Sequence, residues 1–366
     1  MNFDFSDDQK LLKEQVRKFL TDKCPMKVVR RVLDSNETHA EEVWKGLVEL
    51  GVPATAIPEA YGGLGLSPLE LCVVAEEIGR AAAPVPFDSS VVLATEALKL
   101  AGSEAQKQKW LPLLAEGKAI GTLAVAEGPQ PPKPRNISTT FGGGRLNGKK
   151  VPVADGEAAT FAIVMARNAL VLVELSQTAV SRRPVETIDP ARKHAELTFN
   201  DASAELLGAD GEGWRLLERI HDAAAVYFAF AQVGGAEAAM WMARDYALQR
   251  QAFGRAIGSY QAIKHKLADC YVKLELARSN AYYGAMMLTD GGADLPLAAA
   301  AARIAATEAY DFAAKENIQT HGGIGFTWEA DTQFHLRRAK LMALSIGGPM
   351  AWKDKLVTRL EQKNAA

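Results

Sequence analysis

The 366-residue sequence has few cysteines, no excess of charge of either sign and no long run free of polar residues. The three cysteines, Cys24, Cys72 and Cys270, are far apart, and none belongs to a CxxC or Cys/His cluster. Such an odd, scattered set predicts neither a disulfide framework nor a metal site. We therefore expect a protein of a reducing, cytoplasmic compartment.

The charges almost cancel, since 42 basic and 44 acidic side chains leave a net charge of -2. A nucleic-acid partner would require a basic excess, so none is predicted. The longest low-charge run, residues 223–243, is interrupted by Gln232, two glycines and Glu237, which favours a buried bundle helix over a membrane span. The N-terminal MNFDFSDDQK is acidic where a signal peptide is basic, and no membrane insertion is expected.

The first third of the sequence has a helical pattern, from residue 6 to about 118. Helix starts are predicted where a serine is followed three positions later by Glu or Gln, the spacing of a capping box. These pairs are Ser6 with Gln9, Ser67 with Glu70, and Ser103 with Gln106. The segment IPEAYGGLGL, residues 57–66, is rich in Gly and Pro and is predicted to be irregular.

The pattern then changes to short apolar runs, GTLAVA, TFAIVMA, LVLVEL and HAELTFND, which indicate strands. Helical stretches return at about 214–250, 259–289, 295–320 and 350–362. Unmixed blocks of helices, strands and helices predict a mainly α protein with a β-domain. We expect an N-terminal helical domain over 1–118, a middle antiparallel β-domain over 119–206 and a C-terminal four-helix bundle over 207–366.

The segment RQAFGRAIGSYQ, residues 250–261, places several ligand-binding residue types between two predicted helices. Arg250 carries a fork of donors that suits a phosphate or diphosphate. Phe253 could flank a planar ring, Gly254 allows close backbone approach, and Gln261 could pair with a sugar or base edge. Each residue also has a plain structural interpretation, because an Arg can interact with a helix end and a Phe is usually core.

A second segment, QTHGGIGFTW, residues 319–328, has three glycines within five positions. One glycine would satisfy a turn that needs positive φ, and three exceed that need. Glycine also removes the side chains that would keep a pyrophosphate away from backbone N–H groups. The two segments together therefore predict a dinucleotide site.

These two motifs, in this order and with IPEAYGGLGL and FDFSDDQKLLKEQVRKFL before them, resemble the acyl-CoA dehydrogenase family over essentially the whole chain. The resemblance implies that family's helix, β-domain, helix fold and an FAD whose adenosine diphosphate part is held from a neighbouring subunit. Matched residue by residue, one half of that clamp is Arg250, Phe253, Gly254, Ile257 and Gln261, and the other half is Gln319, Gly322 and Gly323.

The resemblance also implies a reaction, the FAD-dependent α,β-dehydrogenation of an acyl-CoA thioester. Its implied partners are the thioester, an electron-transfer flavoprotein or similar acceptor, and other subunits of a homo- or hetero-oligomeric dimer or tetramer. The α-proton is a poor acid, so a carboxylate base has to lie within hydrogen-bond reach of it. In most relatives this base is a Glu of a Tyr-Glu-Gly stretch.

The sequence departs from the family at that base. Ser345 and Ile346 stand where Tyr and Glu are expected, and Ala224 occupies the position that a minority of the family uses for the Glu. Asp222 is a conceivable stand-in, although an Asp on a helix more commonly faces solvent. The catalytic base is therefore not identified from the sequence.

The β-domain also departs from the family. Residues 126–134, AEGPQPPKP, keep Glu127 and lose the hydroxyl and Gly-Ser positions of the corresponding motif. Pro152 stands where the resemblance implies a Trp beside the flavin ring, and Ala154 where it implies a Thr. The motifs that hold the dinucleotide tail are retained, and those around the reacting ring are altered.

Several functions remain open on these residues. The chain could be an active dehydrogenase with a displaced base. It could instead be a non-catalytic partner subunit that lends its clamp to a companion chain, similar to the paired subunits of bacterial enzymes that act on steroid or bile-acid side-chain CoA thioesters. A flavin monooxygenase of the same fold has less need of the clamp, and a purely structural helical protein would leave both glycine motifs unexplained.

The small residues 223–225 could widen the cleft for a bulky acyl group or simply pack helices closely.

Overall fold

The computed structural model describes residues 5–365 and shows a mainly helical chain with one β-rich region. Apolar residues at helical spacing bury one face of a helix, as in the first helix, whose Val16 and Leu20 are buried. The α-helices are α1 (Asp7–Lys23), α2 (Met26–Asp34), α3 (Glu41–Glu49), α4 (Pro68–Arg80), α5 (Thr95–Ala101), α6 (Glu104–Ala115), α7 (Gly213–Gln249), α8 (Gln261–Asp290), α9 (Leu295–His321), α10 (Thr332–Leu344) and α11 (Pro349–Ala365).

Two of the predicted capping boxes are formed. The Ser6 hydroxyl accepts a hydrogen bond from the Gln9 amide at the start of α1, and the Gln9 side chain accepts one from the Ser6 amide. Ser103 and Gln106 repeat this arrangement at α6. Each box satisfies two helix N–H groups that would otherwise lack an acceptor, so local sequence sets where these helices begin.

The β-region consists mainly of two four-stranded sheets. Its strands are β1 (Gly121–Ala124), β2 (Thr140–Gly142), β3 (Arg145–Ala154), β4 (Phe161–Ala166), β5 (Ala169–Glu174), β6 (Val180–Val185), β7 (His194–Ser203) and β8 (Glu205–Leu207). One sheet has the order β1-β4-β5-β8 and the other β2-β3-β7-β6. The pairings are antiparallel, except that β1 runs parallel to β4.

A single apolar cluster contains side chains from both sheets. Val164 and Val171 come from the first sheet, and Leu146, Leu197 and Phe199 come from the second. Alternation along each strand places these side chains on one face. The β-region therefore has a core of its own.

The chain divides into two compact units. One contains the residues up to Val29, Pro68–Ala83 and the chain from Ala225 onward, and the other contains Arg30–Ser67 and Pro84–Ala224. In the first unit α4 and α7 pack with almost no space between their backbones. A Cβ on Gly79 would lie 1.8 Å from the Ala231 carbonyl oxygen, and a Cβ on Gly234 would lie 1.8 Å from that of Glu76. Only glycine allows this approach.

Three local expectations need correction. Helix α10 lies in a stretch where no helix was predicted. Strand β3 was also missed, because its sequence RLNGKKVPVA is polar and contains Gly and Pro. Residues 57–66 include a short 3₁₀ turn, Glu59–Tyr61, where only irregular structure was expected. The fold class itself is confirmed, and none of the helices in the described part of the chain is long and apolar enough to cross a membrane.

Candidate functional site

The first glycine motif forms a tight β-hairpin directly after α7. Its strands, β9 (Gln251–Ala252) and β10 (Arg255–Ala256), are antiparallel. Phe253 and Gly254 form the two-residue loop with φ values of 51° and 80°, as such a loop requires. The Phe253 side chain is 97% exposed at this tip. A bulky residue at positive φ is strained, so the hairpin holds an exposed aromatic ring at some energetic cost.

The second glycine motif ends α9. Gly322 has a φ of 62°, and its N–H donates to the carbonyls of Gln319 and Ile318, which satisfies the end of the helix. A Cβ on Gly322 or Gly323 would meet nothing within 4 Å, whereas one on Gly325 would lie 2.6 Å from the Ile318 carbonyl oxygen. Packing therefore requires a glycine at 325, and the two earlier glycines border open space.

The hairpin start and the end of α9 meet around one cavity of about 410 Å³, a volume typical of small-molecule sites. It lies within the first unit. Its lining combines one arginine, two glycines, two rings and small or apolar side chains. The lining residues are Tyr246, Arg250, Ile257, Thr320, His321, Gly322, Gly323 and Ile324. The structure thus brings together residues more than sixty positions apart, including four of the residues predicted to hold FAD.

The charge at this cavity is carried by Arg250. Within the described residues no carboxylate pairs with its guanidinium, whereas the neighbouring Arg244 is paired with Asp245 at 2.6 Å. An unpaired guanidinium beside backbone without side chains suits a diphosphate, which needs both a fork of donors and close approach. The residues present therefore fit the diphosphate part of a dinucleotide.

Four predicted site residues lie outside this cavity lining. Phe253 and Gly254 are at the hairpin tip, Gln261 is the first residue of α8, and Gln319 is in the last turn of α9. Both glutamines are exposed, and among residues 5–365 neither side-chain amide has a hydrogen-bond partner. Their donors and acceptors remain available to a ligand or another chain.

The sequence prediction missed two aromatic rings at the cavity. Tyr246 and His321 stack with ring centroids 4.1 Å apart and planes 25° apart. Tyr246 lies four residues before Arg250, and the Arg250 N–H donates to the Tyr246 carbonyl at 2.8 Å just past the end of α7, so both lie on one side of the helix end. That spacing was the signal in the sequence that could have identified Tyr246 as a cavity residue. The stacking of His321 on Tyr246 could not be inferred from spacing.

The two family positions for the base hold no carboxylate. Ile346 is 4% exposed, and the neighbouring Ser345 hydroxyl donates to the Leu341 carbonyl at 3.0 Å. Ala224 is completely buried in α7. Asp222 belongs to the second unit. It is only 5% exposed, so the expectation that it faces solvent is wrong.

Two other carboxylates, the partly buried Glu127 and the buried Asp155, are engaged with cations. Glu127 accepts from Lys150 at 2.8 Å and from the Ser138 and Thr139 hydroxyls at 2.6 Å. Although burial opposes ionisation, these donors lower the pKa of Glu127 to about 2. Asp155 pairs with the buried Arg192 at 2.8 Å. A carboxylate held in this way is a poor proton acceptor near neutral pH.

No group of three or more His, Cys, Asp or Glu side chains in the described ranges is placed to hold a metal ion. The cavity itself offers the Arg250 guanidinium, backbone amides and the rings of Tyr246 and His321. That donor set is one for a nucleotide ligand.

Comparison with known proteins agrees with these features. A family model described as acyl-CoA dehydrogenase, N-terminal domain, matches residues 6–118, and one described as acyl-CoA dehydrogenase, C-terminal domain, matches residues 211–349. The acyl-CoA dehydrogenase IpdE2 of Mycobacterium tuberculosis is 33% identical over 358 residues, which cover 98% of this chain and 97% of the relative.

Solved structures show the same fold over almost the full length. One is a variant of the Tcur3481-Tcur3483 steroid ACAD, with a TM-score of 0.89, 28% identity and coverage of 98% of this chain and 99% of that chain. Another is the ChsE4-ChsE5 complex from Mycobacterium tuberculosis, with a TM-score of 0.89, 25% identity and 99% of each chain covered. On the matched family models and the full-length relative, this chain belongs to the acyl-CoA dehydrogenase family.

Proposed function

We propose that this chain is a subunit of an FAD-dependent acyl-CoA dehydrogenase and that it holds the adenosine diphosphate half of a flavin whose ring lies in a neighbouring chain. The observation that carries the proposal is the cavity at which the unpaired Arg250 meets the open glycines Gly322 and Gly323. Ile257 lines the same cavity. Phe253, Gly254, Gln261 and Gln319 would complete the clamp from the hairpin and the two helix ends.

Exposed apolar side chains near the clamp favour a second chain as the other wall. Phe253 is 97% exposed and Phe326 is 77% exposed, and Ile324 at the cavity is also exposed. Large apolar groups that stay in water on a single chain mark an interaction surface. A flavin shared between subunits requires at least a dimer. In a symmetric homo-oligomer or a paired hetero-oligomer, the second subunit would supply the other wall of the site.

When bound, FAD supplies the hydride acceptor for the oxidation of a CH–CH group. The residues of this chain bind and orient it. Arg250 would donate hydrogen bonds to the diphosphate, and the backbone at Gly322 and Gly323 leaves room for that group. The absence of a carboxylate at Ile346 and Ala224 supports a companion chain as the source of the base that removes the α-proton.

Two similar structures support a proposal for the acyl group and the assembly. One is a variant of the Tcur3481-Tcur3483 steroid ACAD, and the other is the ChsE4-ChsE5 complex. They favour a hetero-oligomer that acts on a steroid side-chain CoA thioester. An electron-transfer flavoprotein or similar acceptor would take the electrons from the reduced flavin. Ala224 and Ala225 give no separate support for a widened cleft, because both are fully buried.

Replacing the cation tests the clamp. In Arg250→Ala we expect the FAD dissociation constant of the purified oligomer to rise about tenfold to a hundredfold, because a charge-assisted hydrogen bond is lost. Arg244→Ala is the matched control, since Arg244 is also an exposed arginine of this region and already pairs with Asp245. Fluorescence titration with FAD measures both. Equal affinity in the two variants would refute the clamp.

A second candidate function is favoured by the burial of Asp222. In this case the chain is active alone, and Asp222 removes the α-proton. Asp222→Asn keeps the shape and removes the basic oxygen, so the rate of flavin bleaching by a CoA thioester should fall at least about a hundredfold. Stopped-flow absorbance of the FAD-loaded chain measures this rate. An unchanged rate removes Asp222 from consideration and leaves the companion chain as the source of the base.

A further inference from the structure

His321 is the one histidine at the proposed nucleotide cavity, and the family motif matched above does not include it. Its Nδ1 lies 2.8 Å from the Asn317 carbonyl oxygen. Because a carbonyl only accepts hydrogen bonds, Nδ1 must carry the proton. The other nitrogen, Nε2, is then an acceptor in the neutral ring.

The ring is held in place from two sides. The Asn317 bond ties it to the preceding turn of α9, and Tyr246 stacks on it at 4.1 Å. Among the described residues, no protein group forms a hydrogen bond to Nε2. The fixed ring belongs to the lining of a cavity whose cation is Arg250, and its Nε2 is an acceptor that the described residues leave unused.

The two polar groups differ in what they can bind. Arg250 only donates and so matches the diphosphate oxygens. Neutral Nε2 only accepts and so matches a hydroxyl or amino group. The adenosine half of the nucleotide carries such hydrogen-bond donors, namely its ribose hydroxyls and its exocyclic amine. The diphosphate carries neither a ribose hydroxyl nor an amine.

We propose that Nε2 of His321 accepts a hydrogen bond from the adenosine half of the nucleotide and selects for adenosine over other groups attached to a diphosphate. This inference rests on the proposed function, because it assigns a further residue to the same clamp. His321 is a specificity-determining residue here, and Arg250 supplies the affinity for the diphosphate. Tyr246 positions His321 through the ring stack.

Two substitutions separate this role from a structural one. In His321→Asn the side-chain amide nitrogen is attached to Cγ, as Nδ1 is in histidine, so it can still donate to the Asn317 carbonyl. In His321→Gln the amide lies one covalent bond further out, near the place of Nε2. This variant keeps an acceptor there and loses the hydrogen bond to Asn317. If Nε2 accepts this hydrogen bond, His321→Asn should weaken ADP binding about fivefold to tenfold, which is the value of one hydrogen bond. His321→Gln should retain most of the native affinity for ADP. A purely structural role predicts the reverse order.

The measurement is isothermal titration of the purified oligomer with ADP, 2′-deoxy-ADP, 3′-deoxy-ADP, inosine diphosphate and inorganic diphosphate. Native protein should discriminate against one of the three altered nucleotides, which shows whether a ribose hydroxyl or the amine is the donor. His321→Asn should lose that discrimination and bind inorganic diphosphate as the native protein does. Unchanged ADP binding by His321→Asn, or an equal loss for inorganic diphosphate, would overturn the inference.

Arg250→Ala distinguishes this failure from failure of the proposed function. If Arg250→Ala weakens every probe and His321→Asn weakens none, only the role of His321 is wrong. If native protein and Arg250→Ala bind ADP equally, the clamp itself is wrong, and the inference falls with it.

Discussion

Gly323 and Gly325 lie two residues apart at the end of α9 and are glycines for different physical reasons. A methyl group at 323 would enter open space at the cavity, whereas one at 325 would lie 2.6 Å from the Ile318 carbonyl oxygen. The same substitution at the two sites therefore separates a ligand requirement from a packing requirement.

For Gly323→Ala we expect a free energy of unfolding within about 0.5 kcal/mol of the native value and weaker FAD binding, because the methyl group occupies ligand space. For Gly325→Ala we expect a loss of about 1–3 kcal/mol, because the backbone has to shift. Urea unfolding and FAD titration measure the two effects. Unchanged FAD affinity in Gly323→Ala would show that the ligand does not approach this backbone.

At the residue scale, candidates could be chosen from sequence where the chemistry is local, and the structure brings Arg250, Gly322 and Gly323 to one cavity, while their role in ligand binding stays a prediction. Arg250 and the glycines were predicted as ligand residues because guanidinium and bare backbone each suit a diphosphate on their own. His321 was missed, because its significance depends on Tyr246, which is seventy-five positions away and stacks on it only in the folded chain. The acceptor atom of His321 becomes evident only once the Asn317 carbonyl is seen to occupy the other nitrogen.

At the scale of elements, an ion pair attaches β3 to the preceding segment. Lys150 of β3 is fully buried, and its Nζ donates to Glu127 at 2.8 Å and to the Val125 carbonyl at 3.0 Å. Burial lowers the pKa of the Lys150 ammonium, and Glu127 is the charge that opposes this effect. The pair joins β3 to the chain after β1.

Glu127→Gln should lower the free energy of unfolding at neutral pH by about 2 kcal/mol. This loss is smaller than for a fully buried ion pair, because the Glu127 side chain is 13% exposed. The folded-state pKa is lowered from 4.5 to about 2. The contribution of Glu127 is therefore complete above pH 4.5 and is lost as the pH falls toward 2, so the native and variant proteins should converge over that range.

Urea unfolding at a series of pH values measures this convergence. Glu174→Gln is the control, because Glu174 pairs with Lys109 on the surface and such pairs stabilise little. A stability difference between native protein and Glu127→Gln that stays constant down to pH 2 would contradict the assignment.

Elements with strong local signals were predicted, and elements without them were not. Helices α1 and α6 carry capping boxes, and the long helices α7 to α9 have continuous helical patterns. Strand β3 is polar, contains Gly148 and Pro152, and is a strand because β7 and β2 pair with it. Tertiary pairing overrode its local preference.

At the scale of the whole molecule, the proposed flavin site requires more than one chain. Arg250, Gly322 and Gly323 line one cavity, and Phe253 at the hairpin tip is 97% exposed. Under the proposed function, a single chain presents half of a dinucleotide site next to an exposed aromatic ring. The division into three domains at residues 118 and 206 stays a prediction, whereas family membership rests on the full-length relative.

The most direct test is analytical ultracentrifugation of the purified protein with FAD, detected by the visible absorbance of the flavin over a dilution series. If this chain holds the adenosine diphosphate half of a flavin that a neighbouring chain completes, flavin absorbance will sediment only with assemblies of two or more chains and will be released as they dissociate. Stoichiometric flavin that sediments with a single chain would contradict the account.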